Sequence, residues 1–232
     1  TRYRISQFIP FLNKNGWQIS LRPFMDERLF EIYHRKSMII ETIFRTLIRF
    51  FFRIVDCLSA RNYDVIFIHK EAFPFGPPVF EKIIQKLNPR IIYDMDDAFW
   101  THPPQFTQIG KIIRDNNKIQ KIIKLSTLIL AGNDYIYNNV EEINPNVIHF
   151  PTVLDTTIYQ PRTEIEDGEI TIGWVGRWSS QQYLRLLQPV FTKLTNRYDN
   201  LRFLFIGVSE DFSMPDIPIV KQKWTLDDEI AS

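Results

Sequence analysis

The sequence predicts a doubly wound α/β protein in two unequal pieces, residues 1–160 and the start of a second domain at 161–232. Three observations predict it. Six short runs rich in β-branched and aromatic residues (65–69, 90–94, 127–131, 147–150, 170–175 and 201–207) are apolar nearly throughout, like strands of a parallel sheet covered on both faces. Between them, 78–87, 108–125, 134–143 and 180–198 carry apolar residues at three- and four-residue spacing, the period of a helix face. The rhythm breaks in Phe150-Pro-Thr-Val-Leu-Asp-Thr-Thr-Ile-Tyr-Gln-Pro161. Two prolines and no helical period mark an interdomain connection there.

Ahead of the first strand, Arg2-Tyr-Arg-Ile-Ser-Gln-Phe-Ile-Pro-Phe-Leu-Asn-Lys-Asn-Gly16 reads as the first turns of a helix stopped by glycine. Arg2 and Arg4 fall at its amino end, either facing a ligand or simply solvated. Residues 37–59 read as a long helix with Arg45, Arg49 and Arg53 at four-residue spacing beneath abundant Ile and Phe. Packing with one solvated arginine face is the favoured reading, because neighbours can cover a broad apolar surface. The other reading is a peripheral contact with an anionic membrane. After an acidic stretch around Gly168, a fresh β-α-β series starts at Ile170 and ends at Ser232, inside a helix expected to be capped by Thr225. A two-stranded sheet is too small to stand alone, so truncation is expected there. The absent initiator Met leads to the same expectation at Thr1.

Apolar content of 44% and charged content of 24% are ordinary for a globular protein. A net charge of +1 offers no basic excess for a nucleic-acid partner, and none is expected. The balance is uneven, with ten Lys/Arg against five Asp/Glu in residues 1–60. The only cysteine, Cys57, excludes an intrachain disulfide and fits a reducing, cytoplasmic setting. Its apolar neighbours mark it as a buried structural thiol. No stretch reaches the roughly 20 uninterrupted apolar residues of a membrane span.

Two strand ends hold the candidate chemistry. In Gly173-Trp-Val-Gly-Arg-Trp-Ser-Ser-Gln-Gln-Tyr-Leu184 a strand ends at Gly176 and a helix is expected to start near Ser179 or Ser180. Helix-start N–H groups beside Arg177 suit a phosphate, and Gly176 would let backbone approach closely. A plain capping box of Ser179 with Gln182, Arg177 being solvated, explains the same residues. In Tyr93-Asp-Met-Asp-Asp-Ala-Phe-Trp-Thr-His102, three carboxylates suit a divalent metal or sugar hydroxyls, or merely the capping of a following helix. His102 has the best claim of the histidines to a site; His69 and His149 read as structural. Glycine-rich dinucleotide, Walker, zinc and serine-elbow patterns are missing from the sequence.

Taken in order, these segments resemble the bacterial GT-B glycosyltransferases of the group 1, or family 4, class. The resemblance is carried by Arg2-Tyr-Arg with Pro10-Phe-Leu, Val65-Ile-Phe-Ile-His-Lys-Glu-Ala-Phe-Pro-Phe-Gly-Pro-Pro78 and Ile92-Tyr-Asp-Met-Asp-Asp97. It continues through Leu128-Ile-Leu-Ala-Gly-Asn133, Pro151-Thr-Val-Leu-Asp155 and Ile172-Gly-Trp-Val-Gly176. It implies two Rossmann-like domains, acceptor in the first and nucleotide-sugar donor in the second, with the 151–161 junction as the hinge side of a cleft. The implied reaction moves a sugar to a glycan, lipid-linked or other hydroxyl acceptor, with retention, no cofactor and no obligatory metal. Gly176, Arg177, Ser179, Ser180 and Gln182 would face the donor. Arg2, Arg4, Asp96, Asp97, His102 and Asn133 would line the acceptor side, Arg2 and Arg4 approaching the phosphates. Gln182 stands where the resemblance implies a lysine, and a neutral amide supplies no charge to a leaving diphosphate. A glycine-rich loop before Thr1 and a Glu-x7-Glu segment after Ser232 are expected to lie beyond this stretch, which alone would be inactive.

Overall fold

Nearly continuous apolar runs form parallel strands here because each can be covered on two faces. The computed structural model describes residues 2–33, 36–101, 115–160, 168–178 and 180–225. The chain divides into two compact units at Leu154 and Asp155, inside the expected connection.

The first unit carries a four-stranded sheet of β1 (Ile66–His69), β2 (Ile91–Met95), β3 (Leu128–Ala131) and β4 (Val147–His149), all parallel and in chain order. Its helices are α1 (Ile9–Lys14), α2 (Glu27–Ile32), α3 (Ile39–Leu58), α4 (Val79–Leu87), α5 (Lys118–Leu125) and α6 (Asp134–Glu141). Register aligns Ile66 with Ile91, Tyr93 with Ile129 and Ile129 with Val147, so these side chains share one face. That face forms the core with Phe80 and Ile84 of α4, Ile122 of α5, Ile136 of α6 and Cys57 of α3. Strands advancing in one direction with right-handed crossovers place their helices on one side. The described strands therefore make one wing of a doubly wound sheet. The other face carries His69 and Asp94 at its carboxyl end, where the amino-terminal segment reaches it through Arg4.

The amino-terminal segment forms turns, a short 3-10 helix and then α1, with Pro10 in its first turn and Gly16 at φ +86° just beyond its end. Glycine reaches that left-handed conformation without steric cost. In α3, Phe50, Ile54 and Cys57 pack on the core, in line with the favoured reading. The arginine row, however, is not simply solvated. Arg49 and Arg53 donate to main-chain carbonyls of Phe24 and Arg22, which turns a broad apolar arc of the helix outward.

The second unit holds a parallel sheet of β5 (Ile170–Val175), β6 (Leu201–Ile206) and β7 (Ile219–Gln222). Phe203 and Phe205 meet Leu184, Phe191, Phe212 and Met214 in its core. The helix expected over 180–198 is interrupted. It opens as a 3-10 helix, Gln181–Leu187, and turns α-helical only in α7, Gln188–Thr195. Pro189 is the reason. Inside a continuous α-helix its ring would clash with the carbonyl four residues back, whereas the first turn tolerates it. The helix expected from Thr225 onward, and the part of 108–125 before Asp115, lie largely outside the described residues.

Cys57 is 1% exposed, and its burial pushes the thiol pKa up to about 12. Thiolate is the reactive form. We expect no reaction of the native protein with a thiol-specific disulfide reagent near neutral pH. Labelling should appear only as denaturant unfolds the first unit, which a stopped labelling series alongside circular dichroism would check.

Candidate functional site at the strand carboxyl ends

Open parallel sheets bind ligands at the carboxyl ends of their strands. In the first unit that edge is built by the ends of β1, β2 and β3. Asp94 is fully buried and accepts from Arg4 Nε at 3.1 Å with each of its oxygens, and from Arg4 Nη2. His69 Nδ1 donates to Asp94 Oδ2 at 2.8 Å from the adjacent strand. Arg4 is itself 2% exposed and also donates to the Phe150 carbonyl and to Thr152 Oγ1, where the chain leaves β4. Burial works to raise the Asp94 pKa, but the His69 and Arg4 hydrogen bonds and charges outweigh it and hold the carboxyl below the usual value of 3.8.

This geometry revises the role expected of Arg4. Its guanidinium points into the protein and is engaged by a carboxylate and a carbonyl, so it does not approach a ligand phosphate in this arrangement. Arg2 lies over the Tyr3 ring at 4.3 Å and donates to the Tyr3 hydroxyl. Both oxygens of Asp94 are likewise committed, which removes it from the acidic trio as a metal ligand. Among the described residues no group of three His, Cys, Asp or Glu side chains is placed to hold a metal ion.

Asp96 and Asp97 do stand at the edge. Asp96 Oδ2 lies 3.9 Å from His69 Nε2, and Asp97 Oδ1 accepts from the Ala98 N–H at 2.8 Å. His69 Nε2 and Asp96 Oδ1 are both buried with no hydrogen-bond partner among the described residues. With Nδ1 donating to Asp94, Nε2 is an acceptor in the neutral imidazole and a second donor in the imidazolium; in both forms it and Asp96 Oδ1 have no partner at hydrogen-bond distance among the described residues. The sequence reads His69 as structural, and its bond to buried Asp94 is such a duty; its register beside Asp94 also brings it to the candidate site, which no local motif signals. Asn133 caps α6, its side-chain oxygen accepting from the Ile136 N–H at 2.9 Å, a structural duty for one expected to meet substrate. Its neighbour Gly132 has a spacing reason. A Cβ there would stand 3.0 Å from the Met95 carbonyl and 3.1 Å from Asp96 Cα. Trp100 stacks on the exposed Tyr135 at 6.1 Å, and Lys70 lies 5.5 Å from the Phe99 ring at a φ of +68°. His102 lies outside the described residues.

In the second unit, Gly176 closes β5, its N–H donating to the Ile206 carbonyl at 3.1 Å. A Cβ on Gly176 would come within 2.3 Å of the Trp174 ring, and one on Gly207 within 2.0 Å of the Gly176 carbonyl. Close packing at the sheet edge thus gives Gly176 a structural reason of its own. Arg177 is exposed at the strand end. Ser180 donates from N–H and Oγ to the Arg177 carbonyl at 2.9 Å, and the cap side chain makes no bond to the 3-10 helix. Gln182 is exposed, whereas Gln181 ties this turn to the next by accepting from the Ser209 N–H at 2.8 Å. Ser179 lies outside the described residues.

No protein-family model and no curated protein matches the chain. Two solved structures similar to it are of TarM. One, a crystal structure of TarM, is 12% identical with a TM-score of 0.38, covering 59% of this chain and 32% of its own. The other is an S. aureus TarM mutant in complex with fondaparinux, α-GlcNAc-glycerol and UDP, 10% identical with a TM-score of 0.41, covering 62% and 31%. The chain spans about a third of the length of each. Likeness at that level gives no residue correspondence.

Removing one partner of a buried ion pair costs about 3–5 kcal/mol. Arg4→Ala should therefore lower the unfolding free energy of the first unit by that order near neutral pH, read from denaturant titration. Because the folded Asp94 pKa is depressed, its contribution is complete above the unfolded value of 3.8 and is lost as pH falls through the folded one. The gap between native protein and Arg4→Ala should accordingly close as pH drops below 3.8.

Proposed function

We propose that the chain is part of a glycosyltransferase that moves a sugar from a nucleotide-sugar donor to a hydroxyl of a glycan, lipid-linked or other acceptor, with retention and without an obligatory metal. The observation that carries the acceptor side is the pair of buried polar atoms without a partner among the described residues, His69 Nε2 and Asp96 Oδ1, at the carboxyl edge of the first sheet. A substrate hydroxyl both donates and accepts, and so can satisfy such a pair. The stacked Trp100 and Tyr135 rings, on the segments that follow β2 and β3, offer an apolar face for a sugar ring. Further support is positional: the resembling stretches 65–78, 92–97, 128–133 and 172–176 each run past a strand carboxyl end, at His69, Met95, Ala131 and Val175.

On the donor side Arg177 supplies the positive charge. The anomeric carbon loses its bond to the diphosphate oxygen, which leaves with the electron pair, and gains a bond to the acceptor oxygen. The acceptor proton passes to the departing phosphate. An exposed guanidinium stabilises charge that grows on that phosphate as the bond breaks. Gln182 favours a second reading, a non-catalytic nucleotide- or glycan-binding protein, since its neutral amide stands where a second cation is implied.

Calorimetry of the full-length protein against UDP and GDP separates these. Arg177→Ala should weaken diphosphate binding by about tenfold to a hundredfold, the worth of one charged hydrogen bond. Unchanged binding would defeat the assigned role. Asp96→Asn should leave diphosphate affinity as it is and lower sugar transfer. If the native protein binds but transfers nothing to any hydroxyl acceptor, the second reading stands instead.

A further inference from the structure

The segment that leaves β1 is held by buried ionisable side chains that the candidate site does not use. Lys70 enters it at φ +68°, a left-handed conformation that a residue with a Cβ adopts only at a cost, so the segment has to be held in place. Two helices hold it. Glu81, in the first turn of α4, accepts from the Ala72 N–H at 2.9 Å, and Lys118, at the start of α5, donates to the Phe73 carbonyl. Both side chains are 1% exposed. Phe73 packs on Phe50 and Phe80 with ring centroids at 5.4 and 5.2 Å.

Charge does not balance around an ionised Glu81. On α3, Arg53 pairs with Asp56 at 3.6 Å, and on α5 Lys118 lies 3.5 Å from Glu71 Oε1. Each cation that acts on Glu81 thus has a carboxylate of its own, and Cys57 of α3, the remaining ionisable neighbour, is a neutral thiol. Lys70, Lys82, Lys121, Lys124 and the Arg61 that follows α3 are exposed, and Arg49 is turned to the Pro23 and Phe24 carbonyls. Glu81 Oε2 and Glu71 Oε1 are both buried with no hydrogen-bond partner among the described residues. Burial works to raise the Glu81 pKa and Glu71 adds to it, outweighing Lys118 and the N–H groups of Glu81 and Ala72. A proton on this carboxyl removes the unmatched charge and gives Oε2 a hydrogen to donate.

We propose that Glu81 is held as the neutral acid and acts as a proton-operated lock on residues 70–73, closed while protonated and loosened when the carboxylate forms. The segment begins one residue after His69, so the lock sets the order of one flank of the first sheet's carboxyl edge. It goes beyond sugar transfer and stands without it, since neither its groups nor its readouts involve a substrate.

Infrared titration of the full-length protein reads the proton directly. A carboxylic-acid band that Glu81→Gln lacks should persist above pH 4.5, the ordinary value for the group. Hydrogen exchange of the Ala72 amide, corrected for intrinsic exchange, reads the lock. Because the folded pKa is raised, the contribution of the proton is complete below 4.5 and is lost as pH rises through the folded value. Opening of the native segment should grow by up to about tenfold per pH unit across that window and then level off. In Glu81→Gln, whose amide accepts from Ala72 and donates without a charge, opening should stay flat. The absence of such a band overturns the proposal, as does an Ala72 amide with the same pH dependence in both proteins. Should Glu81→Gln fail to fold, the unaltered protein decides alone. The pH at which opening levels off must coincide with the midpoint at which the band disappears, and separate values overturn the lock.

Discussion

The first unit depends on one buried charge pair, Arg4 with Asp94. Each ion taken from water costs several kcal/mol, and attraction repays that only when the remaining hydrogen-bonding capacity is also met. Here it is met from three distant parts of the chain. Arg4 comes from the amino-terminal segment, Asp94 and His69 from neighbouring strand ends, and the Phe150 carbonyl from the exit of β4. Gln7 adds a bond to the Val153 carbonyl at 2.9 Å, and Phe8 packs on Phe150 at 5.8 Å. One guanidinium therefore fixes the cover of the second sheet face, the site edge and the first residues of the interdomain connection together.

The pair also decides what His69 can do. An imidazole whose Nδ1–H is held by a carboxylate presents Nε2 in a defined tautomer and direction. Gly132 sets the other boundary, since any side chain there would press on the backbone at Met95 and Asp96. Asp96 is thereby held near His69, while Asp97 faces solvent in the turn that follows. The three acidic positions of the motif, Asp94, Asp96 and Asp97, thus have three environments: a buried clamp, a half-buried carboxylate and a solvated turn.

Much of the architecture was legible in the sequence, because uninterrupted apolar runs and three- or four-residue spacing are local signals. All six expected strands are present within a residue or two; the chain divides at Leu154 and Asp155, ahead of the boundary expected at 160 and 161. What escaped was non-local or competitive. β7 (Ile219–Gln222) includes Lys221 and Gln222 and so lacks an apolar signature; pairing with β6 makes it a strand. Pro189 overrode the helical period after Ser180. The Arg4–Asp94 pair spans 90 residues of sequence, and no spacing rule connects such positions. For α3 the amphipathic pattern was plain, but its direction was not. A row of arginines ordinarily faces water, and only the carbonyls of residues 22–24 reverse it.

Charge then argues for how the two edges divide the work. At the first sheet's edge Arg4 is spent on Asp94, leaving Asp96, Asp97 and Asp134 against Lys70. An edge with that balance repels a diphosphate but accepts hydrogen bonds from hydroxyls, which carry no charge to oppose it. At the second sheet's edge exposed Arg177 follows β5, while exposed Glu210 and Asp211 lie in the loop after β6. Arg177 is the group at the end of β5 that suits an anion. These charges support the proposed placement of the acceptor with the first unit and of the donor phosphate at Arg177.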